Sequence, residues 1–229
     1  MTDRQCDSFI GDVDVREVLR YAGVKNADLC GEDIRQSALR AIREVGETAS
    51  PRHIACECTL LTEENCCVID GISIVSRDLA AHLQGCEKVL LFAATLGSSV
   101  DLLIARYSAV RMSYAVLLQA AAAAMTEQYC DNVCETLEAS YQKEGCWLKP
   151  RYSPGYGDFS LESQTILLDR LNAYKYAGIT VSGGGQMTPM KSVSAVIGIT
   201  RQRQRGQNGS CASGKCANCS HTTCAFRRT

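Results

Sequence analysis

From Met112 to Thr126 the chain runs fifteen residues without a charge, and Ala115 to Met125 holds only alanine, valine, leucine, methionine and one glutamine. This stretch lies within a longer helical pattern, about Ser99 to Lys143, with one break expected near Tyr107. A helix that is apolar on every side has no face to give to water, so it must be central and covered by other elements. It is also shorter than the roughly 20 apolar residues that cross a bilayer, which sets a membrane span aside. The N-terminal residues mix charges of both signs with no apolar core of a secretory signal, and the expected location is the cytoplasm.

The cover can be read from the flanks. Asp14 is positioned to cap a short helix, Val15 to Ala22, stopped by Gly23. Ile34, Ala38, Ala41, Ile42 and Val45 recur at helical spacing from Asp33 to about Val45, and Pro51 closes that segment. The period then changes to two: Ile54, Cys56, Cys58 and Leu60 alternate with Ala55, Glu57 and Thr59, and Asp70-Gly71 joins two short runs as a hairpin turn. A short helix over Arg77 to Leu83 precedes Val89 to Thr95, a continuous apolar run of the kind found in strands covered on both faces. Further on, Ser160 is expected to cap a helix reaching about Tyr174. Strands over Gly178–Val181 and Lys191–Thr200 flank a Gly183-Gly184-Gly185 loop.

Charge and cysteine are unevenly distributed. Residues 1–169 carry 15 basic and 25 acidic side chains, whereas 170–229 carry nine basic and no acidic ones. A positive pole of that kind suits an anionic partner such as nucleic acid, a phosphate-bearing ligand or an acidic protein, or is simply a solvated tail. Of the 14 cysteines, ten are scattered among apolar positions, where a thiol serves as a small hydrophobe; Cys56 and Cys58 on one strand face, and Cys130 and Cys134 one helical turn apart, are read in this way. The other four form Cys211-x4-Cys216-x2-Cys219-x4-Cys224, spacing that can wrap one tetrahedral metal, zinc or an iron–sulfur cluster.

The most informative segment for a ligand is Arg151-Tyr152-Ser153-Pro154-Gly155-Tyr156-Gly157-Asp158. An arginine opening a proline–glycine turn can grip a carboxylate, the glycines admit close approach of backbone, and the tyrosines offer flat faces. Together with Met187-Thr188-Pro189-Met190-Lys191-Ser192-Val193-Ser194 before a strand, this loop resembles the reactivation domain of cobalamin-dependent methionine synthase over roughly residues 85 to 200. In that family an Arg-x-x-Pro-Gly-Tyr loop binds S-adenosylmethionine. The resemblance implies that Arg151 holds the ligand carboxylate, Glu127 on the Ala-rich helix pairs with its ammonium, and Ser153, Pro154, Gly155 and Tyr156 position it. It also implies the activity: reductive methylation of cob(II)alamin, with S-adenosylmethionine as methyl donor and a flavodoxin-type electron donor.

Two departures shape the expectation. The string Ala80-Ala81-His82-Leu83-Gln84-Gly85 lacks the aspartate of the family's cobalt-ligand motif, so His82 is rejected as that ligand; His53 is read as structural. The cobalamin would then sit on a partner, a cobalamin-binding methyltransferase subunit, with an acidic electron donor docking on the basic end. The alternatives are a reactivator of another corrinoid methyltransferase, or a metal-clipped module that binds nucleic acid or protein; one aromatic in the tail, Phe226, is too few for a base-stacking platform. The expected architecture is α+β, a mixed α/β chain in which a long central buried helix packs on a mixed or antiparallel sheet. Its expected parts are an N-terminal helical and β segment (1–84), the ligand-binding region (85–200), a linker (201–209) and a Cys-rich tail (210–229).

Overall fold

The computed structural model describes residues 13–24 and 30–202. The tail cysteines Cys211, Cys216, Cys219 and Cys224, and most of the 201–209 linker, lie outside the described residues. Two helices lead, α1 (Val15–Tyr21) and α2 (Glu32–Thr48). Asp14 caps α1 by accepting the Arg16 N–H at 2.9 Å. Then come β1 (Arg52–Thr62), the hairpin β2 (Cys66–Ile69) and β3 (Ile72–Val75), α3 (Arg77–Leu83) and β4 (Lys88–Thr95). Asp70 and Gly71 both take positive φ, 48° and 83°, the geometry a two-residue hairpin requires.

Two helices follow, α4 (Ser98–Val110) and α5 (Met112–Lys143), with the break at Arg111, a few residues beyond Tyr107. At 32 residues α5 is about 48 Å long. Beyond it lie β5 (Trp147–Leu148), α6 (Ser163–Arg170), α7 (Ala173–Ala177), β6 (Thr180–Val181), β7 (Met187–Thr188) and β8 (Ser192–Thr200).

Six strands form one antiparallel sheet in the order β3-β2-β1-β4-β8-β5, and β6 pairs only with β7 in a separate ribbon. The sheet draws strands from both sides of residue 84. Seven of the eight residues of β4 are buried, because helices cover both sheet faces. Val89, Leu91 and Ala93 meet α3, α6 and α7 on one side. Leu90, Phe92 and Ala94 meet Cys130, Val133 and Cys134 of α5 on the other. The N-terminal half of α5, Tyr114 to Met125, runs past the sheet and is enclosed by α1, α2 and α4. Each fully buried aliphatic or aromatic side chain here contributes about 1.5–3 kcal/mol, which is why the chargeless stretch is central.

The expected helix from Ser160 to Tyr174 is corrected on two counts. Ser160 first makes a turn, its Oγ accepting the Glu162 N–H and its carbonyl the Ser163 N–H, so α6 starts at Ser163. Asn172, with φ 48°, then breaks the helix into α6 and α7; asparagine adopts this left-handed geometry more readily than most residues. The expected strand over Gly178–Val181 shortens to β6 because Gly178, φ 70°, serves as the cap of α7.

Among the described residues no helix is long and apolar enough to cross a membrane. Cys58, Cys67, Cys130 and Cys134 are buried and none forms a disulfide, consistent with core filling. No group of three or more His, Cys, Asp or Glu among the described residues is placed to hold a metal.

Candidate functional site

Arg151 reaches its position through a local irregularity. Leu148 pairs with Ile199, and Tyr152 forms a bridge with Val196, so four steps along one strand face three along the other. Pro150 and Arg151 together oppose Ile197, a β-bulge that resets the side-chain alternation. Lys149 therefore points to the α3 side, where its Nζ donates to the carbonyls of His82 and Gln84 at 2.8 and 2.7 Å. Arg151 points to the α5 side, and Tyr152 returns to the α3 side.

On the α5 side the guanidinium meets two acids one helical turn apart. Arg151 Nη2 donates to Asp131 Oδ1 at 2.7 Å and to Glu127 Oε2 at 3.0 Å. The Arg151 and Asp131 side chains are 8% and 11% exposed, whereas Glu127 is 42% exposed. Arg151 Nη1 is buried and has no hydrogen-bond partner. A buried, unpartnered guanidinium nitrogen costs free energy unless something accepts from it. The arrangement thus presents a fixed cation with one donor to spare and, beside it, a solvent-accessible carboxylate.

The rest of the loop is tied to α3. Asp158 Oδ1 accepts from Ser76 Oγ at 2.5 Å and from the Asp78 N–H at 3.1 Å, and Oδ2 accepts from the Arg77 N–H at 2.9 Å. The Ser76 hydroxyl and these amides hold the Asp158 carboxyl below its usual range. The loop closes on itself through Gly155 N–H to Phe159 carbonyl at 2.8 Å and Tyr156 N–H to Ser153 carbonyl at 3.2 Å. The Gly155 amide is therefore committed inside the loop, and what Gly155 offers a ligand is an open backbone face at φ 93°.

Pro154 is buried and Ser153 half-buried, while the Tyr156 ring is 56% exposed. Tyr152 stacks on His82 with centroids 4.9 Å apart, and burial pushes its phenol pKa up. His82 Nε2 lies 2.9 Å from the Pro150 carbonyl, so this histidine supports the loop. His53 Nδ1 likewise bonds the Tyr129 hydroxyl at 2.8 Å.

The structure brings Glu127 and Arg151 together, with Ser153, Pro154, Gly155 and Tyr156 following directly in the loop. It adds three residues that sequence reading passed over: Asp131, Lys149 and, as the loop's anchor, Asp158. Asp131 had a signal, its place four residues after Glu127 on one helix face. The other two depend on contacts with α3, distant in the chain.

An antiparallel sheet with a long helix on one face and short helices on the other, bearing an arginine-headed loop at its edge, defines an α+β class. Comparison of the sequence with protein-family models and with curated proteins returns no match. Comparison of the fold finds a crystal structure of the MetH reactivation domain bound to AdoHcy, with TM-score 0.61 and 14% identity. The match covers 83% of this chain and 76% of that one. Residues 85–200 alone do not supply that share, so the likeness of fold extends into the N-terminal segment.

Proposed function

We propose that the chain binds S-adenosylmethionine at the Arg151 loop and acts in the reductive reactivation of cob(II)alamin on a separate cobalamin-dependent methionine synthase. The observation that carries this reading is the buried Arg151 guanidinium with an unpartnered Nη1, set beside an exposed glutamate. The likeness of fold to a domain whose crystal structure is bound to AdoHcy supports it.

The chemistry of the pair fits an amino-acid zwitterion. Arg151 Nη1 donates to the ligand carboxylate while Asp131, buried at 2.7 Å, keeps the guanidinium in place. Glu127, the exposed partner, swings from Arg151 to the ligand ammonium. One ion pair is exchanged for two, with no new buried charge left unmatched. The backbone of Ser153 to Gly155 and the Tyr156 ring line the approach and orient the ligand. S-adenosylmethionine, when bound, supplies a methyl group already activated on its sulfonium, so these residues bind and aim; none is asked to move a proton. In this reading the cobalamin belongs to the partner subunit, and an acidic electron donor meets the basic C-terminal part of the chain.

Calorimetry tests the binding step directly. Wild-type protein is expected to bind S-adenosylmethionine and its demethylated product, and Arg151→Ala to lose both. Absence of heat from either ligand with wild-type protein sinks the proposal. A coupled assay with a cobalamin methyltransferase trapped as cob(II)alamin then tests the reactivation step.

A further inference from the structure

We infer that a cleft between α5 and the start of β8 is a second binding site, for an aliphatic monocarboxylate whose carboxylate pairs with Lys191. Between Tyr114 and Thr126 only Val116, Leu117, Gln119 and Ala123 are not buried. Val116, Gln119 and Ala123 follow one another at helical spacing, so an otherwise enclosed helix is open along one line. That line borders a cleft of about 290 Å³. Gln119 and Glu127 are eight residues apart, about 12 Å along the helix, which sets the cleft apart from the Arg151 pair.

Lys191 is the one charged side chain among the described residues that line this cleft. Its backbone is fixed, the carbonyl accepting from the Leu96 N–H at 3.0 Å and from Thr95 Oγ1 at 3.2 Å. Its side chain crosses to α5, where Nζ makes a long bond, 3.4 Å, to the Gln119 carbonyl, an acceptor that the helix already uses for its own hydrogen bonding. An ammonium carries three donors, and no carboxylate among the described residues lies within ion-pair distance of this one. Burial pushes its pKa down, the mark of a cation short of compensating charge; Asp101 on α4 opposes this from farther away. Asp101 does not line the cleft, and its Oδ2 accepts from the Met190 N–H at 2.7 Å.

The rest of the lining defines what accompanies the negative charge. Ala115 and Ala120, 2% and 4% exposed, form an apolar floor, while Met112 and Val116 stand 63% and 46% exposed at the mouth. An aliphatic chain laid between them removes apolar surface from water on both partners. From Gln119 back to Met112 is seven residues, about 10 Å along the helix, and an extended eight-carbon chain is about 9 Å long. A carboxylate at Lys191 therefore leaves its chain running along α5 to Met112. The Gln119 side chain lines the same end and offers an amide donor beside the ammonium. One ammonium and one amide suit a single carboxylate; a phosphate, with more charge and more acceptor oxygens, calls for a denser set of donors.

Calorimetric titration of octanoate, its neutral analogue octanamide and S-adenosylmethionine into wild-type, Lys191→Met and Arg151→Ala protein tests this. Wild-type protein is expected to bind octanoate more tightly than octanamide, with affinity rising about 2- to 4-fold per CH₂ from butyrate to octanoate. Lys191→Met is expected to weaken octanoate by about 10- to 100-fold and to leave octanamide and S-adenosylmethionine unchanged. Arg151→Ala is expected to keep octanoate binding while losing S-adenosylmethionine. Absence of octanoate binding, octanoate binding indifferent to Lys191→Met, or equal loss of octanoate and octanamide in that variant overturns the inference. Octanoate that is displaced by S-adenosylmethionine and lost in Arg151→Ala overturns it too, because the carboxylate then sits at Arg151. Octanoate behaving as expected, with no heat from S-adenosylmethionine, overturns the Arg151 reading alone. Should Lys191→Met fail to fold, Val116→Glu, at an exposed position, sets a like charge at the mouth and is expected to weaken octanoate and spare octanamide.

Discussion

Replacing Asp131 by Asn removes the charge of the nearer acid that holds Arg151, without changing the shape of the side chain. Both members of that pair are nearly enclosed, 8% and 11% exposed, at 2.7 Å. Breaking a pair of this kind costs about 3–5 kcal/mol when the surviving charge is left alone. Here Glu127 stays at 3.0 Å and the asparagine oxygen can still accept, so the expected cost is about 2–3 kcal/mol. For a domain of this size each kcal/mol moves the midpoint by about 2–4 °C, giving a fall of roughly 4–12 °C. Glu127→Gln touches a carboxylate that is 42% exposed and is expected to cost about 1 kcal/mol or less. Thermal unfolding followed by circular dichroism measures both, and a double-mutant cycle with Arg151→Met isolates the coupling, about 2 kcal/mol for Asp131 and under about 1 for Glu127. Equal losses for the two variants, or a greater loss for Glu127→Gln, would refute the division into an anchoring acid and an exchangeable one.

Gly157→Ala should disturb the loop, because a Cβ there runs into Asp78 Oδ2 and the Tyr152 hydroxyl at a backbone φ of +52°; a loss of about 1–3 kcal/mol in urea unfolding checks it. Asp70 is held well below the usual carboxylate range, first by the Thr59 N–H and then by Arg170. Its folded pKa is depressed, so its stabilisation is complete above about pH 4 and fades as pH falls below that; Asp70→Asn should flatten this acid limb in a pH series of unfolding midpoints. Protein purified without oxygen should carry a thiolate-bound metal that Cys216→Ser with Cys219→Ser removes, as read by elemental analysis. Metal-free wild-type protein would refute the tail assignment.

Elements whose cause is local could be read directly. β4 announced itself as an apolar run, α3 by its short helical pattern, and the hairpin by Asp70-Gly71, all found at or within one residue of the expected bounds. The chargeless stretch identified the buried part of α5 for the same reason. What depends on distant partners was not legible. β5 is two residues long and exists because β8 offers it an edge. β8 itself lies between β4 and β5, an order that no local pattern encodes. At the site, Arg151 and Glu127 came from the words of the loop and its likeness to a family. The role of Asp131, the anchoring of Asp158 on α3 and the approach of Lys191 to α5 are products of tertiary packing.

The extra residue opposite Ile197 makes chain length, as much as residue identity, a determinant of the site. Deleting Pro150 would restore regular pairing with β8 and turn every later side chain of that edge by half a revolution. The guanidinium would then be driven among the rings beside His82, and the phenol of Tyr152 would be presented to Glu127 and Asp131. A chain that kept every functional residue but lost this one position in the count would carry the right groups on the wrong sides of its sheet.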